Sequence, residues 1–159
     1  MTRAGAGTWS DAGAAGSVGS GVCTLSGTVI YDLGSTPENL TNTVVATDLN
    51  GIDLAVYVQH ASGIFCIYAY VDESGGTFTL IARNGGTFHI NTSDTFTPGN
   101  LPYTVTIEVV GTAVTATLET TAETVVLSGT SNAVYQSNSN VALYGSFNTQ
   151  VDSIQVTSP

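Results

Sequence analysis

Hydrophobic and polar residues alternate along most of this chain. From Val22 onward the alternating segments are built from Val, Ile, Thr and Tyr, and they are interrupted at short intervals by Gly, Asn, Asp and Pro. Short segments with a period of two, separated by turn residues, are typical of β-strands that bury one face. No segment has a convincing helical period. The pattern therefore predicts an all-β fold, a sandwich of two antiparallel sheets.

The middle of the chain predicts a meander of consecutive strands. These strands cover residues 52–60, 65–71, 77–83 and 87–90. The first two are joined by the loop at residues 60–63, and the last two by Asn84-Gly85, a pair favoured in tight hairpin turns. The residues of the first two strands that are expected to face the core are Ile52, Leu54, Val56, Val58, Phe65, Ile67, Ala69 and Val71.

The last third of the chain predicts further hairpins and two closing strands. The expected strands are residues 103–110, 113–119, 123–127, 141–145 and 151–156. Gly111-Thr112 turns the first of them into the second, and the Ser- and Asn-rich segment 128–140 is predicted to be a polar loop.

The first 21 residues are rich in Gly, Ala and Ser. We divide the chain into an N-terminal arm, residues 1–21, and a single sandwich domain, residues 22–159. Because a glycine-rich terminus is ordered only where other structure holds it, we expect the arm to pack on this domain or on a neighbouring subunit. Its candidate docking residues are Trp9, Val18 and Val22 at the domain boundary.

Composition and charge narrow the possible functions. The chain has 159 residues, 42% of them hydrophobic and 9% charged, which suits one folded domain. Two arginines stand against twelve acidic residues, and the net charge of -10 disfavours nucleic acid as a partner. There is no lysine for a Schiff base or a polybasic membrane patch, and no apolar run long enough to cross a bilayer. We expect no nucleic acid, no membrane and no cofactor.

Cysteines and the N-terminal sequence bear on the compartment. Cys23 and Cys66 are too few for a disulfide scaffold or a four-ligand zinc site, and two buried free thiols are favoured over one bridge. The segment Met1–Trp9 lacks the apolar core of a secretory signal, so synthesis in the cytoplasm without export is expected.

No combination of residues predicts catalysis. Glu108, Glu119 and Glu123 are isolated acids rather than the paired carboxylates that glycoside hydrolysis requires. His60 and His89 lie in or beside turns, without the spacing of a catalytic triad or a zinc motif, and are expected at the surface. We therefore expect no enzyme and no catalytic residue.

One segment offers ligands for a metal. Asp48, Asn50 and Asp53 supply three side-chain oxygens of the kind that calcium binds. However, Asn50-Gly51 is a pair favoured in hairpin turns, and a turn is the preferred interpretation. No metal site is predicted.

The order of the predicted strands carries a resemblance to a known fold family. The matching segments are Trp9 to Val22, Leu54 to Gln59, Tyr68 to Tyr70, Phe78 to Leu80, Tyr103 to Ala116, Val141 to Gly145 and Val151 to Ile154. Together they resemble the concanavalin A-like lectin/glucanase jelly roll in its laminin-G-like form, which occurs in many bacterial and phage proteins. Such domains usually begin with one more strand upstream of the tryptophan, and its omission implies an exposed sheet edge that favours pairing with another chain.

The face of the meander opposite the core is the candidate contact face, which this resemblance implies is shallow and concave. Its residues are Tyr57, Gln59, Tyr68, Tyr70 and Arg83. Aromatic rings with polar tips suit sugars and protein interfaces equally. The same side chains would also suit a sheet that simply faces solvent.

These observations favour a protein that binds without transforming its partner. The leading hypothesis is a virion structural protein made in the host cytoplasm, either a phage capsid decoration (cement) protein or a short head or tail fibre. It would dock on the major capsid protein through its arm or open edge and form a homo-oligomer. The alternative is a carbohydrate-binding module, acting outside the cell, that binds glycans through Tyr57, Tyr68 and Tyr70.

Overall fold

The computed structural model contains two antiparallel sheets packed face to face. It describes residues 8–11, 17–19, 22–25, 28–32, 39–50, 53–62, 65–132, 135, 140–145 and 149–157. Its strands are β1 (Thr8–Asp11), β2 (Ser17–Gly19), β3 (Val22–Leu25), β4 (Thr28–Asp32), β5 (Asn39–Asp48), β6 (Asp53–Ser62), β7 (Phe65–Asp72), β8 (Thr77–Asn84), β9 (Thr87–Thr95), β10 (Tyr103–Val110), β11 (Ala113–Glu119), β12 (Thr124–Thr130), β13 (Asn140–Gly145) and β14 (Thr149–Thr157). The described residues include no helix that is long and apolar enough to cross a membrane.

Each sheet has seven strands. The first has the order β1-β4-β13-β6-β7-β8-β9, and the second has the order β12-β11-β10-β5-β14-β3-β2. The predicted meander is confirmed as β6 to β9, and the predicted hairpins are confirmed as β10 to β12. The two closing strands are confirmed as well, but they are not neighbours: β13 lies between β4 and β6, whereas β14 lies between β5 and β3. The antiparallel sandwich predicted from the alternation is therefore correct.

Hydrophobic side chains from the inner faces of both sheets form one core. Leu54, Val56 and Val58 of β6 are fully buried, as the alternation predicts. Phe65 is different, because its side chain is 40% exposed instead of lying in the core. It is the first residue of β7 and pairs with Asn84 beside a turn, so it lies at the end of the sheet rather than between the two layers.

The segment around Asn50 forms the predicted turn, although not a hairpin. Asn50 adopts a positive φ of 54°, and its backbone N–H donates to Asp48 Oδ1 at 2.7 Å. Asparagine tolerates this left-handed conformation and completes such turns with side-chain hydrogen bonds. The turn joins β5 to β6, which belong to different sheets. Gly51 and Ile52 lie outside the described residues.

Parts of the predicted N-terminal arm contribute edge strands. Strand β1 pairs with β4, with Trp9 opposite Tyr31, and β2 pairs with β3, with Val18 opposite Cys23. Both strands lie at sheet edges in the same chain, and Val22 begins β3. The division at residue 21 and the docking role of Trp9, Val18 and Val22 stay predictions.

Candidate functional site

The outer face of the first sheet brings four tyrosines together. Tyr57 of β6 is opposite Tyr68 of β7, and antiparallel partners place their side chains on the same face. Tyr70 lies two residues after Tyr68 and therefore on the same face of β7. Tyr144 of β13 joins them, because Ala55 of β6 pairs with Tyr144 on one side and with Tyr70 on the other. We call Tyr57, Tyr68, Tyr70 and Tyr144 the tyrosine face. All four side chains are half-buried, so each retains some access to solvent.

The ring of Tyr57 packs between two other rings. Its centroid is 4.9 Å from that of Tyr68, with the planes stacked at 29°, and 5.1 Å from that of His60, in an edge-on arrangement at 77°. Desolvation raises the pKa of Tyr57 well above its usual value. Because both neighbours contact this ring, Tyr57 helps to fix the position of Tyr68 and offers a ligand less free ring surface than an isolated tyrosine would.

A β-bulge corrects two of the expectations for this region. Gln59 has a positive φ of 49°, and the pairing of β6 with β7 is irregular between Val58 and Ser62. A bulge re-aims the side chains that follow it. Gln59 is fully buried and so is not accessible on the contact face, and His60, expected at the surface, is only 7% exposed. Burial lowers the pKa of His60, which keeps its ring neutral near pH 7.

Arg83 extends the site beyond the tyrosine face. It is opposite Cys66 on β7, it hydrogen-bonds Tyr68, and its guanidinium lies over the ring of Phe88 at 5.7 Å. Cys66 is a buried free thiol, as expected, and burial raises its pKa to about 11 despite the opposing charge of Arg83. The thiol is therefore protonated and unreactive at neutral pH. The side chain of Cys23 lies outside the described part of the structure.

The other end of the same face is acidic. Asp53 is opposite Asp72, and a hydrogen bond to Asp53 helps desolvation raise the pKa of Tyr70. Asp72 accepts hydrogen bonds from the Gly75 N–H and the Ser74 hydroxyl, both at 2.8 Å, and these lower its pKa. Among the residues that the structure describes, no three His, Cys, Asp or Glu side chains are grouped to hold a metal ion.

The remaining candidate residues do not converge. Glu108 is opposite Thr115, and Glu119 is opposite Thr104 on the second sheet. Glu119 therefore lies beside Thr104, which is four residues from Glu108 on β10. At roughly 3.3 Å per residue, Glu108 and Glu119 are about 13 Å apart along the strands. This separation exceeds the range of about 5 to 9.5 Å between glycosidase carboxylates.

Two further residues, Glu123 and His89, do not join these groups. Glu123 accepts a hydrogen bond from the backbone N–H of Thr97, in the turn before β12. His89 is exposed, as expected, and its ring meets that of Tyr135 edge-on at 5.9 Å.

Comparisons with solved structures show the fold. No protein-family model and no curated sequence matches the chain. Carbohydrate binding module CBM66 from Bacillus subtilis is similar in structure, with a TM-score of 0.69, 14% identity, and coverage of 94% of this chain and 95% of that one. The VIP36 exoplasmic/lumenal domain in a Ca2+/Man3GlcNAc-bound form gives a TM-score of 0.63 and 10% identity over 96% of this chain and 84% of that one.

A phage protein contains a similar domain. Tailspike protein 2 from the Escherichia coli bacteriophage CAB120 gives a TM-score of 0.63 and 15% identity over 99% of this chain, but over only 26% of the tailspike. The chain thus has the concanavalin A-like jelly-roll fold, as its strand order predicted. Structural similarity at identities this low establishes the fold alone, so the function has to be argued from the site.

Proposed function

We propose that this domain is a non-catalytic recognition module that binds a glycan on the tyrosine face. The observation that carries the proposal is the stacked Tyr57–Tyr68 pair within a continuous group of half-buried tyrosines. The similarity to a carbohydrate binding module and to a domain solved in a Man3GlcNAc-bound form supports it.

The arrangement of the rings suits a sugar because stacking holds Tyr57 and Tyr68 in fixed positions. A pyranose presents apolar C–H surfaces and polar hydroxyls, and a tyrosine offers an apolar ring with a hydroxyl at its tip. Cross-strand stacking restricts the rotamers of Tyr57 and Tyr68, so less conformational entropy is lost on binding. Neighbouring Ile81, opposite Tyr68 on β8, adds apolar surface next to the pair.

The Tyr68→Ala variant should bind the glycan about tenfold or more weakly, because it removes the central ring of the face. Tyr68→Phe should retain most of the affinity that comes from the ring and lose only the hydroxyl contribution. A glycan array followed by calorimetric titration of the full chain would measure both effects.

The matched control is Val126→Ala. Val126 is 58% exposed on β12 of the second sheet, so its replacement should leave both binding and stability unchanged. Equal affinity of the wild-type protein and Tyr68→Ala for every glycan detected would reject the tyrosine face as the binding site.

A second candidate function is a virion structural role, which the similarity to a phage tailspike favours. In this proposal the domain docks on a particle component such as the major capsid protein, through the arm residues Trp9, Val18 and Val22 or a sheet edge. Co-sedimentation with purified particles tests it directly. Glycan binding by an isolated monomer that does not sediment with particles would favour the first function alone.

A further inference from the structure

Arg83 has no anionic partner among the described residues of a strongly acidic chain. The sequence has two arginines and no lysine against twelve acidic residues. Of the two arginines, only Arg83 lies in the described part of the structure. Within that part it forms no ion pair with a carboxylate, and its buried Nε has no hydrogen-bond partner. The Arg83 side chain is half-buried, and its charge lacks an anionic partner among the described residues.

The described groups that interact with Arg83 are neutral. They include the hydroxyls of Tyr57 and Tyr68, the Cys66 thiol and the ring of Phe88, which is 52% exposed. Asn91, exposed on β9, lies opposite Ile81 in the next row of the same face. Arg83 therefore presents a positive charge next to an accessible aromatic ring and an exposed amide.

The acidic residues of the surrounding strands lie far from this charge. Strands β7, β8 and β9 contain Asp72 and Asp94, which pair with Thr77 and Phe78 at the far end of β8. Thr77 and Arg83 are six residues apart, about 20 Å at roughly 3.3 Å per residue. The screening length is about 10 Å at 0.1 M salt, so those carboxylates neutralise little of the field at Arg83.

We propose that the glycan bound on the tyrosine face is acidic, and that Arg83 binds its carboxylate or sulfate group. The inference rests on the proposed function and specifies the substrate class of that site. The N–H groups of the planar guanidinium form a fork that donates two parallel hydrogen bonds to such an anion. Phe88 and Tyr68 flank the fork and contact the sugar ring that carries the charge. The described surface offers a polyanion no lysine or arginine other than Arg83, so we expect its anionic group at Arg83.

Matched glycan pairs test this inference on the full chain. The probes are hyaluronate and polygalacturonate, each with its carboxyl-reduced form, and dextran sulfate with dextran, which distinguishes carboxylate from sulfate recognition. Wild-type protein should bind the acidic member of at least one pair about tenfold or more tightly than its neutral counterpart, as expected for hydrogen bonds to a charged group.

Variants of Arg83 then test whether this residue causes the preference for the acidic glycan. Arg83→Gln should abolish it, and Arg83→Lys, which keeps the charge but loses the fork, should give an intermediate preference. Thermal unfolding of each variant separates a loss of binding from a loss of folding. An unchanged preference in a folded Arg83→Gln protein would overturn the inference.

The two proposals fail in different ways. Binding of neutral glycans that is as tight as binding of acidic ones, and that is lost in Tyr68→Ala, would reject the acidic glycan and retain the proposed function. If an array holding neutral and acidic glycans detects no binding at all, the proposed function fails and the inference fails with it.

Discussion

Replacing Phe78 with alanine should lower the free energy of unfolding by about 3–5 kcal/mol. Phe78 is fully buried on β8, opposite Val71 of β7, and it is among the largest side chains of the core. The substitution removes its buried ring and leaves a cavity that the surrounding strands cannot fill without moving. Since a domain is stable by only about 5–15 kcal/mol, the variant should be close to unfolding. Urea denaturation followed by tryptophan fluorescence or circular dichroism measures the change.

The control is another phenylalanine on the neighbouring strand. Phe88 on β9 is 52% exposed, and its described contact is with the guanidinium of Arg83. Phe88→Ala should therefore lower the free energy of unfolding by about 1 kcal/mol or less. Equal destabilisation by the two substitutions would mean that Phe78 does not lie between the sheets.

The core positions could be predicted because alternation is a local property of the sequence. Each of Leu54, Val56 and Val58 has polar or small neighbours, and a strand sends alternate side chains to opposite faces. The prediction failed for His60 and Gln59 because a bulge interrupts the alternation between Val58 and Ser62. Nothing in the local sequence marks this bulge, and the positive φ of Gln59 is a conformation that a non-glycine residue seldom adopts.

The candidate contact face was predicted only in part for a related reason. Tyr57, Tyr68, Tyr70 and Arg83 lie on strands that follow each other along the chain, so a meander brings them together. Tyr144 joins them because β13 inserts between β4 and β6, which is a pairing of segments distant in sequence. Alternation within one strand contains no information about such a neighbour.

The folded protein should lose stability steeply above pH 10, because it holds several tyrosines in their neutral form. Tyr103 and Tyr135 are almost completely buried, and desolvation raises the pKa of each from 10.0 to about 12. A hydrogen bond from the Tyr103 hydroxyl to Glu73 Oε1 at 2.8 Å adds to its shift. The pKa values of Tyr57, Tyr68 and Tyr70 are also raised, mainly by desolvation.

The sign of the effect follows from linkage. A pKa that is higher in the folded than in the unfolded state means that the unfolded chain releases its proton first. The stabilisation is complete below pH 10 and is lost as the pH rises through about 12. At roughly 1.4 kcal/mol per pKa unit, Tyr103 and Tyr135 together account for a loss on the order of 5 kcal/mol, which is comparable with the whole stability of a small domain.

Urea unfolding midpoints between pH 8 and pH 12, measured beside tyrosinate absorbance, would test this expectation. The midpoint should fall above pH 10 while tyrosinate forms together with unfolding rather than before it. Tyr103→Phe and Tyr135→Phe should each flatten the pH dependence, since phenylalanine has no proton to release. Titration of all the tyrosines near pH 10 in a protein that stays folded would show that burial does not hold these hydroxyls neutral.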